Sequence, residues 1–178
     1  MEEKVYEIYK LIIDANSKMS YLWKAEMLFK WRWWLLVILT ITPWLLWIKF
    51  KRKESTYRLL LVGVIIMLIT SYLDFIGVIL GAWHYNWKVV PIIPGYIPWD
   101  FSLFPVFIMF LLQYKAKISP FIKALVFSSL STFVFEPFFR YLKIYCADNW
   151  KSIYSFPIYI IIYLFADFLV KRDEFEKI

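Results

Sequence analysis

From Leu59 to Trp83 the chain runs through a long apolar stretch interrupted by a single charge, Asp74. As a helix rising about 1.5 Å per residue, such a segment is long enough to cross a hydrocarbon core of roughly 30 Å. Four further apolar stretches accompany it, so the pattern predicts spans at about 33–48, 59–83, 98–114, 120–139 and 153–170. Of the 178 residues, 62% are hydrophobic, 22% are aromatic and 4 are glycine. A soluble domain of this length is nearer half apolar, because its surface must stay wet. The expected class is all-α: an integral membrane bundle of about five transmembrane helices, residues 31–178, preceded by an amphipathic interfacial helix over residues 1–30.

In that first segment Val5, Ile8, Tyr9 and Ile12 recur at helical spacing, while Glu3, Glu7, Lys10 and Asp14 fall on another face. Met19, Leu22, Trp23 and Met27 continue the stripe after an expected weak break at Asn16-Ser17. A helix of this kind lies in the headgroup plane, docks on its own bundle or takes a partner. These thirty residues carry charges throughout and no short apolar core, so no cleavable signal peptide is expected. No internal repeat is visible. Heavy use of Lys, Ile, Phe and Tyr over Arg, Ala and Gly suggests an AT-rich genome, such as that of a low-GC Gram-positive bacterium.

The net charge of +7 would raise nucleic acid as a partner in a soluble chain. Here the basic residues flank apolar runs and read as topology signals instead. The densest basic stretch, Lys49 to Arg58, together with Lys115, Lys117, Lys123, Lys171, Arg172 and Lys177, marks one side as cytoplasmic. The other side holds Lys88, Arg140, Lys143 and Lys151. That puts the C-terminus in the cytoplasm and the N-terminal helix outside, although that helix carries Lys4, Lys10, Lys18, Lys24, Lys30 and Arg32. The first predicted span is short and contains Pro43. Trp31, Trp33, Trp34, Trp44 and Trp47 flank it as interfacial anchors. Pro91, Pro94, Gly95 and Pro98 predict a loop or shallow re-entrant segment from His84 to Trp99.

Charges inside a bilayer cost roughly 2.5–3.5 kcal/mol each on insertion scales, so they draw attention. Asp74 lies about 22 Å along the second span from Leu59, Glu136 a similar distance along the fourth, and Asp100 opens the third. All three belong to the outer half of the membrane, level with His84 and Arg140. One reading is a single outer-leaflet polar pocket. The alternatives are local: Glu136 pairs with Arg140 at i,i+4, Asp100 caps a helix after Pro98-Trp99, and Asp74 bonds a neighbouring helix. Asp167 is placed to pair with Lys171. Gly77 and Gly81 make a G-x-x-x-G expected to let another helix pack closely. His84, between Trp83 and Tyr85, reads as a belt residue or a proton-handling group. A single histidine and a single cysteine, Cys146, leave no parts for a disulfide, a metal site or a catalytic triad, and no cofactor is expected.

The string Asp74-x-x-Gly77-x-x-x-Gly81-x-Trp83-x-Tyr85, followed by Pro91, Pro94, Pro98-Trp99-Asp100-Phe101, Pro105 and Gln113, resembles a family of small uncharacterised multi-pass membrane proteins of Bacillus-like and Clostridium-like bacteria. That resemblance implies a bacterial cell-membrane location and no particular activity. At fold level the chain is also similar to the membrane-embedded carotenoid cyclase domain, which follows an Asp/Gly helix and a W-x-Y end with a Pro-acid element. There the element holds two adjacent acids suited to proton-driven cyclisation of an isoprenoid. Here Pro98 is followed by Trp99 and the single acid Asp100.

No nucleotide loop, metal constellation or nucleophile elbow is present. The reading is therefore a non-enzymatic binding or assembly subunit whose partners are the lipid bilayer, another membrane protein or a hydrophobic ligand. The first alternative is a membrane enzyme acting on an isoprenoid or lipid, with Asp74 and Asp100 as proton donor and acceptor. The second is a small proton-coupled carrier, which five spans without a repeat disfavour.

Overall fold

The computed structural model describes residues 1–93, 95–114 and 117–172; Pro94, Lys115 and Lys177, used above, lie outside them. The described chain is mostly helical, with one two-residue ladder. Helix α1 (Glu2–Leu22) runs on into a π turn at Trp23–Met27, with no interruption at Asn16-Ser17. Asn and Ser cost a helix only a few tenths of a kcal/mol each, too little to break a continuous hydrogen-bond ladder. No residue of α1 is buried. Residues 1–18 are all exposed, while at the far end of the segment Met27 is buried and Trp23 Nε1 donates to the Lys88 carbonyl at 2.9 Å, so only that end docks on the bundle.

Helix α2 (Trp31–Phe50) is longer than the predicted 33–48 and continues through Pro43. Its 20 residues reach about 30 Å, the thickness of a hydrocarbon core. After a single 3₁₀ turn, α3 (Thr56–Ile79) begins three residues before the predicted second span and ends four before its close. The helix stops because Gly81 adopts φ +67°, the left-handed conformation that terminates helices. Trp83 is therefore free of the helix and folds back along it.

The expected loop after the second span is present among the described residues from His84 to Tyr96, and it opens in a short ladder. His84–Tyr85 (β1) pairs antiparallel with Tyr145–Cys146 (β2), His84 opposite Cys146 and Tyr85 opposite Tyr145. Asn149 extends the clasp: its N–H donates to the Ala82 carbonyl and its side chain to the Gly81 carbonyl, both at 3.0 Å. Two loops that sequence alone treats separately are thus joined over one end of the helices.

The third predicted span is a 15-residue helical run, Trp99–Gln113, too short to count among the long apolar helices. It opens with a π turn (Trp99–Leu103) and continues as α4 (Phe104–Gln113). The fourth comprises α5 (Pro120–Leu130), a π turn (Ser131–Phe135) and α6 (Glu136–Tyr141). The last is α7 (Ser152–Val170). Among the described residues, four helices are long and apolar enough to cross a membrane: Trp31–Phe50, Lys53–Ile79, Pro120–Tyr141 and Ser152–Val170. Their outer faces leave Ile38, Leu45, Leu61, Leu68, Ile79 and Phe121 exposed, a surface that water disfavours and lipid accepts.

The interior is divided along its length. Val62, Ile66, Phe104, Ile108, Phe127 and Tyr163 form a central apolar cluster. At the end marked by basic residues, the Gln113 amide donates to the Phe50 carbonyl and accepts from the Arg52 N–H, both at 3.4 Å. Lys123, buried within α5, donates to the Leu111 and Tyr114 carbonyls at 2.7 and 2.8 Å, satisfying the open end of α4. Lys171 pairs with Asp167 at 2.6 Å. At the opposite end, Leu36, Tyr96, Phe139 and Ile144 form a second cluster, of which Tyr96 and Phe139 border the polar site.

Candidate functional site

Asp74 occupies the inner face of α3 one turn before its end, where the neighbouring Gly77 leaves a flat patch of backbone. The indole of Trp83 lies on that patch. A β-carbon at Gly77 would stand 2.0 Å from the ring. Trp83 Nε1 donates to Asp74 Oδ1 at 2.8 Å, and the Tyr85 hydroxyl donates to the same oxygen. The Gly77 gap thus admits a returning side chain, not another helix. Gly81 packs against nothing, having open space where a side chain would be, and acts as the helix stop. The helix-packing role expected of this glycine pair is corrected on both members.

Asp100 sits inside the π turn that opens the third helical run. Such a turn carries one surplus residue and loosens the ladder, leaving carbonyls to be satisfied from outside. Trp44 of α2 donates to the Phe101 carbonyl at 2.8 Å, and Thr70 of α3 to that of Asp100 at 3.4 Å. The Asp100 carboxylate accepts the Tyr96 backbone N–H at 2.8 Å, four residues upstream. The helical run begins at Ile97, so Asp100 satisfies a donor at the helix start from inside the first turn and not as the residue ahead of it. Gly95 lies against both acids: a β-carbon there would be 3.4 Å from Asp100 Oδ2 and 3.8 Å from Asp74 Oδ2.

Glu136 follows the second interior π turn directly. It makes no ion pair with Arg140. Its Oε1 accepts from the Tyr159 hydroxyl at 3.2 Å, with Ser152 and Ser155 of α7 beside it. Arg140 instead lies over the Tyr145 ring, 5.5 Å from its centroid, and reaches the Trp150 carbonyl at 3.5 Å. The i,i+4 spacing permitted a pair, but the Tyr159 hydroxyl takes one carboxylate oxygen and the guanidinium lies over Tyr145. His84 also stands apart, on the surface, with Nδ1 2.5 Å from Asp148 Oδ2.

Asp74, Asp100 and Glu136 line one cavity of about 90 Å³. That volume exceeds the space one water requires by several-fold. Its walls come from every part of the pocket end: Thr70 and Leu73 of α3, Trp83 and Tyr85 of the clasp, Tyr96 and Trp99 ahead of α4, Phe139 of α6, Tyr145 and Trp150, and Ser155 and Tyr159 of α7. Tyr85 and Tyr96 stack at 4.1 Å, nearly parallel. Among the described residues no lysine, arginine or histidine lines the cavity. Three of its buried polar atoms have no partner: Asp74 Oδ2, Glu136 Oε2 and Tyr96 Oη.

No family model, curated protein or solved structure matches the chain. The site must be read from its own chemistry. Burial, reinforced by the charge of Asp74, pushes the Tyr85 phenol well above its ordinary range. Tyr96 is raised in the same way by burial and by Asp100 and Asp74. Tyr145 is raised by burial and by Glu136, against the opposing pull of Arg140. The phenols of these three loop residues consequently remain proton donors. Lys88, half-buried near Asp74, has its ammonium pushed downward by burial and donates to the Ile93 carbonyl at 3.2 Å.

Sequence reasoning named the three acids and missed the aromatic box around them. Trp83 and Tyr85 enter the sequence reading only as the neighbours of His84 and as part of the W-x-Y string, yet both bond Asp74. The W-x-Y that follows the acid across the helix-ending glycine was the available signal. Nothing local marked Tyr145, Trp150 or Tyr159, which reach the site only through the clasp and the packing of α7. Among the described residues no three His, Cys, Asp or Glu side chains are grouped closely enough to hold a metal ion.

Proposed function

We propose that this chain is a multi-pass protein of a bacterial cell membrane, a small binding or assembly subunit holding a polar pocket in the outer leaflet. One observation carries the reading: acids from three separate helical segments face a single aromatic-walled cavity with buried oxygens left unpartnered. Purely structural acids in a membrane interior end in pairs. A pocket with open acceptors is suited to a guest. The basic-rich end lies opposite the pocket, which by the positive-inside rule directs the pocket outward. In this arrangement Trp99–Gln113 crosses as a fifth, short segment capped by the aromatic loop above it. The junction between α1 and α2 lies at the pocket's end, where Trp23 and Trp33 donate to the Lys88 and Val89 carbonyls, which supports an N-terminal helix on the outer side. The uncovered apolar face of α1 supports a role in contacting lipid or another membrane protein.

Purification from native membranes in mild detergent tests the proposal, with a retained partner or lipid as the expected result. A lone monomer, free of both, counts against it. Orientation has its own test, because the chain has one cysteine, Cys146, at the pocket end. A membrane-impermeant maleimide applied to intact cells labels it under this topology, whereas labelling only after lysis reverses the topology.

A second reading is an enzyme acting on an isoprenoid or lipid. It draws on the two acids beside Gly95, one bearing an unpartnered oxygen, as a site able to give and take a proton. Lipid profiles of wild-type, Asp74→Asn and Asp100→Asn strains decide it; identical profiles remove it.

A further inference from the structure

We propose that the pocket binds a primary ammonium group carried on a slender carbon chain, an inference resting on the binding role assigned to this site above. Two independent features lead there. The first is the set of orphaned acceptors. Asp74 and Glu136 are 6% and 7% exposed, and each presents one buried oxygen with no donor. Tyr96, 3% exposed, adds an unpartnered hydroxyl. Leaving such groups unsatisfied is costly, the more so when they are charged. A ligand with several N–H donors relieves all of them.

The second feature is the wall. Trp83, Tyr85, Trp99, Tyr145, Trp150 and Tyr159 surround the acids with aromatic surface, which attracts cations through ring quadrupoles and accepts the attached methylenes. Anionic and neutral guests fit poorly. An anion meets three carboxyl groups and no lining cation, and a neutral alcohol offers a single donor. Among the described residues no three His, Cys, Asp or Glu are grouped to hold a metal ion, and the aromatic walls suit an organic cation better. A quaternary ammonium would satisfy the rings but has no N–H for the bare oxygens. The site therefore discriminates for hydrogens on nitrogen.

Two sources carry the same chemistry: an aminophospholipid headgroup and a free alkylamine. Calorimetric titration of the full chain in a maltoside detergent, against empty micelles as blank, uses n-butylamine, butyltrimethylammonium and butanol as probes. Butylamine is expected to bind at least tenfold more tightly than either of the others. Asp74→Asn and Glu136→Gln are each expected to weaken the amine tenfold or more. Both substitutions keep the oxygen that accepts from Trp83, Tyr85 or Tyr159. Should either variant lose its helical signal, Tyr96→Phe provides a milder probe, with a loss of about threefold. Native mass spectrometry after exposure to vesicles of phosphatidylethanolamine, phosphatidylcholine or phosphatidylglycerol separates the sources. Selective retention of the first, displaced by butylamine, assigns the headgroup; amine binding without lipid retention assigns a free amine. Equal binding of butanol or of the quaternary analogue overturns the ammonium assignment while leaving a binding pocket. Binding of none of the probes overturns the assignment too, and with a lone monomer from native membranes it removes the binding role as well.

Discussion

Replacing Gly77 by alanine isolates the contact on which the pocket's first wall is built. The new methyl would fall 2.0 and 2.1 Å from two Trp83 ring carbons and 2.6 Å from a third. An indole is rigid, so the whole ring must withdraw, carrying Nε1 away from Asp74. Losing that 2.8 Å hydrogen bond costs about 1–3 kcal/mol, and overpacking adds about 1–3 kcal/mol. Alanine returns about 1 kcal/mol as the better helix former. The net expectation is a destabilisation of about 3 kcal/mol. Unfolding in mixed micelles of a mild detergent and dodecyl sulfate, followed by circular dichroism, measures it. The same substitution in a Trp83→Ala background should be neutral or stabilising, because the methyl then has room. Gly63→Ala is a matched control: it meets Met109 Sδ at 2.7 Å, a flexible thioether that can swing aside, and should change stability by less than about 1 kcal/mol. Equal stability of Gly77→Ala and wild type, with no coupling to Trp83, would refute the reasoning.

Other substitutions test the remaining architecture. Lys123→Met removes the donor to the Leu111 and Tyr114 carbonyls and should cost about 2–3 kcal/mol in the same unfolding assay. Lys171→Ala breaks an exposed pair with Asp167 and should cost no more than about 0.5 kcal/mol. Tyr85, Tyr96 and Tyr145 have folded-state pKa values above the ordinary 10, so the stability they contribute is full below about pH 10 and is lost as pH rises through the folded values. Ultraviolet titration of the 13 tyrosines should show these three ionising late, together with loss of fold, and their titration with the exposed tyrosines would contradict their burial.

The helices were legible because their signal is dense: Leu59 to Trp83 needs no partner to be read as a span. Their ends were less so. The second was placed at Trp83 because hydropathy does not register the left-handed Gly81, and the π turns at Trp99–Leu103 and Ser131–Phe135 have no hydropathic signature at all. The acids of the site were legible one at a time through their cost in an apolar run. Their surroundings were not. Whether Glu136 faces Arg140 or Tyr159 depends on how α7 packs, and Tyr145 meets Tyr85 through pairing across some sixty residues of chain. Local spacing offered Glu136–Arg140 a plausible bond, and tertiary contacts replaced it.

The wide turns at Trp99–Leu103 and Ser131–Phe135 have a consequence for how this protein can change. Each contains one peptide more than a regular coil would hold, and the wide turn absorbs it, so the side chains on either side keep their facing. Forcing the same residues into a regular coil would rotate everything after the turn by about 100° and carry Glu136 out of the cavity. At these two turns the scaffold can therefore gain or lose a single codon with its charges still aimed inward.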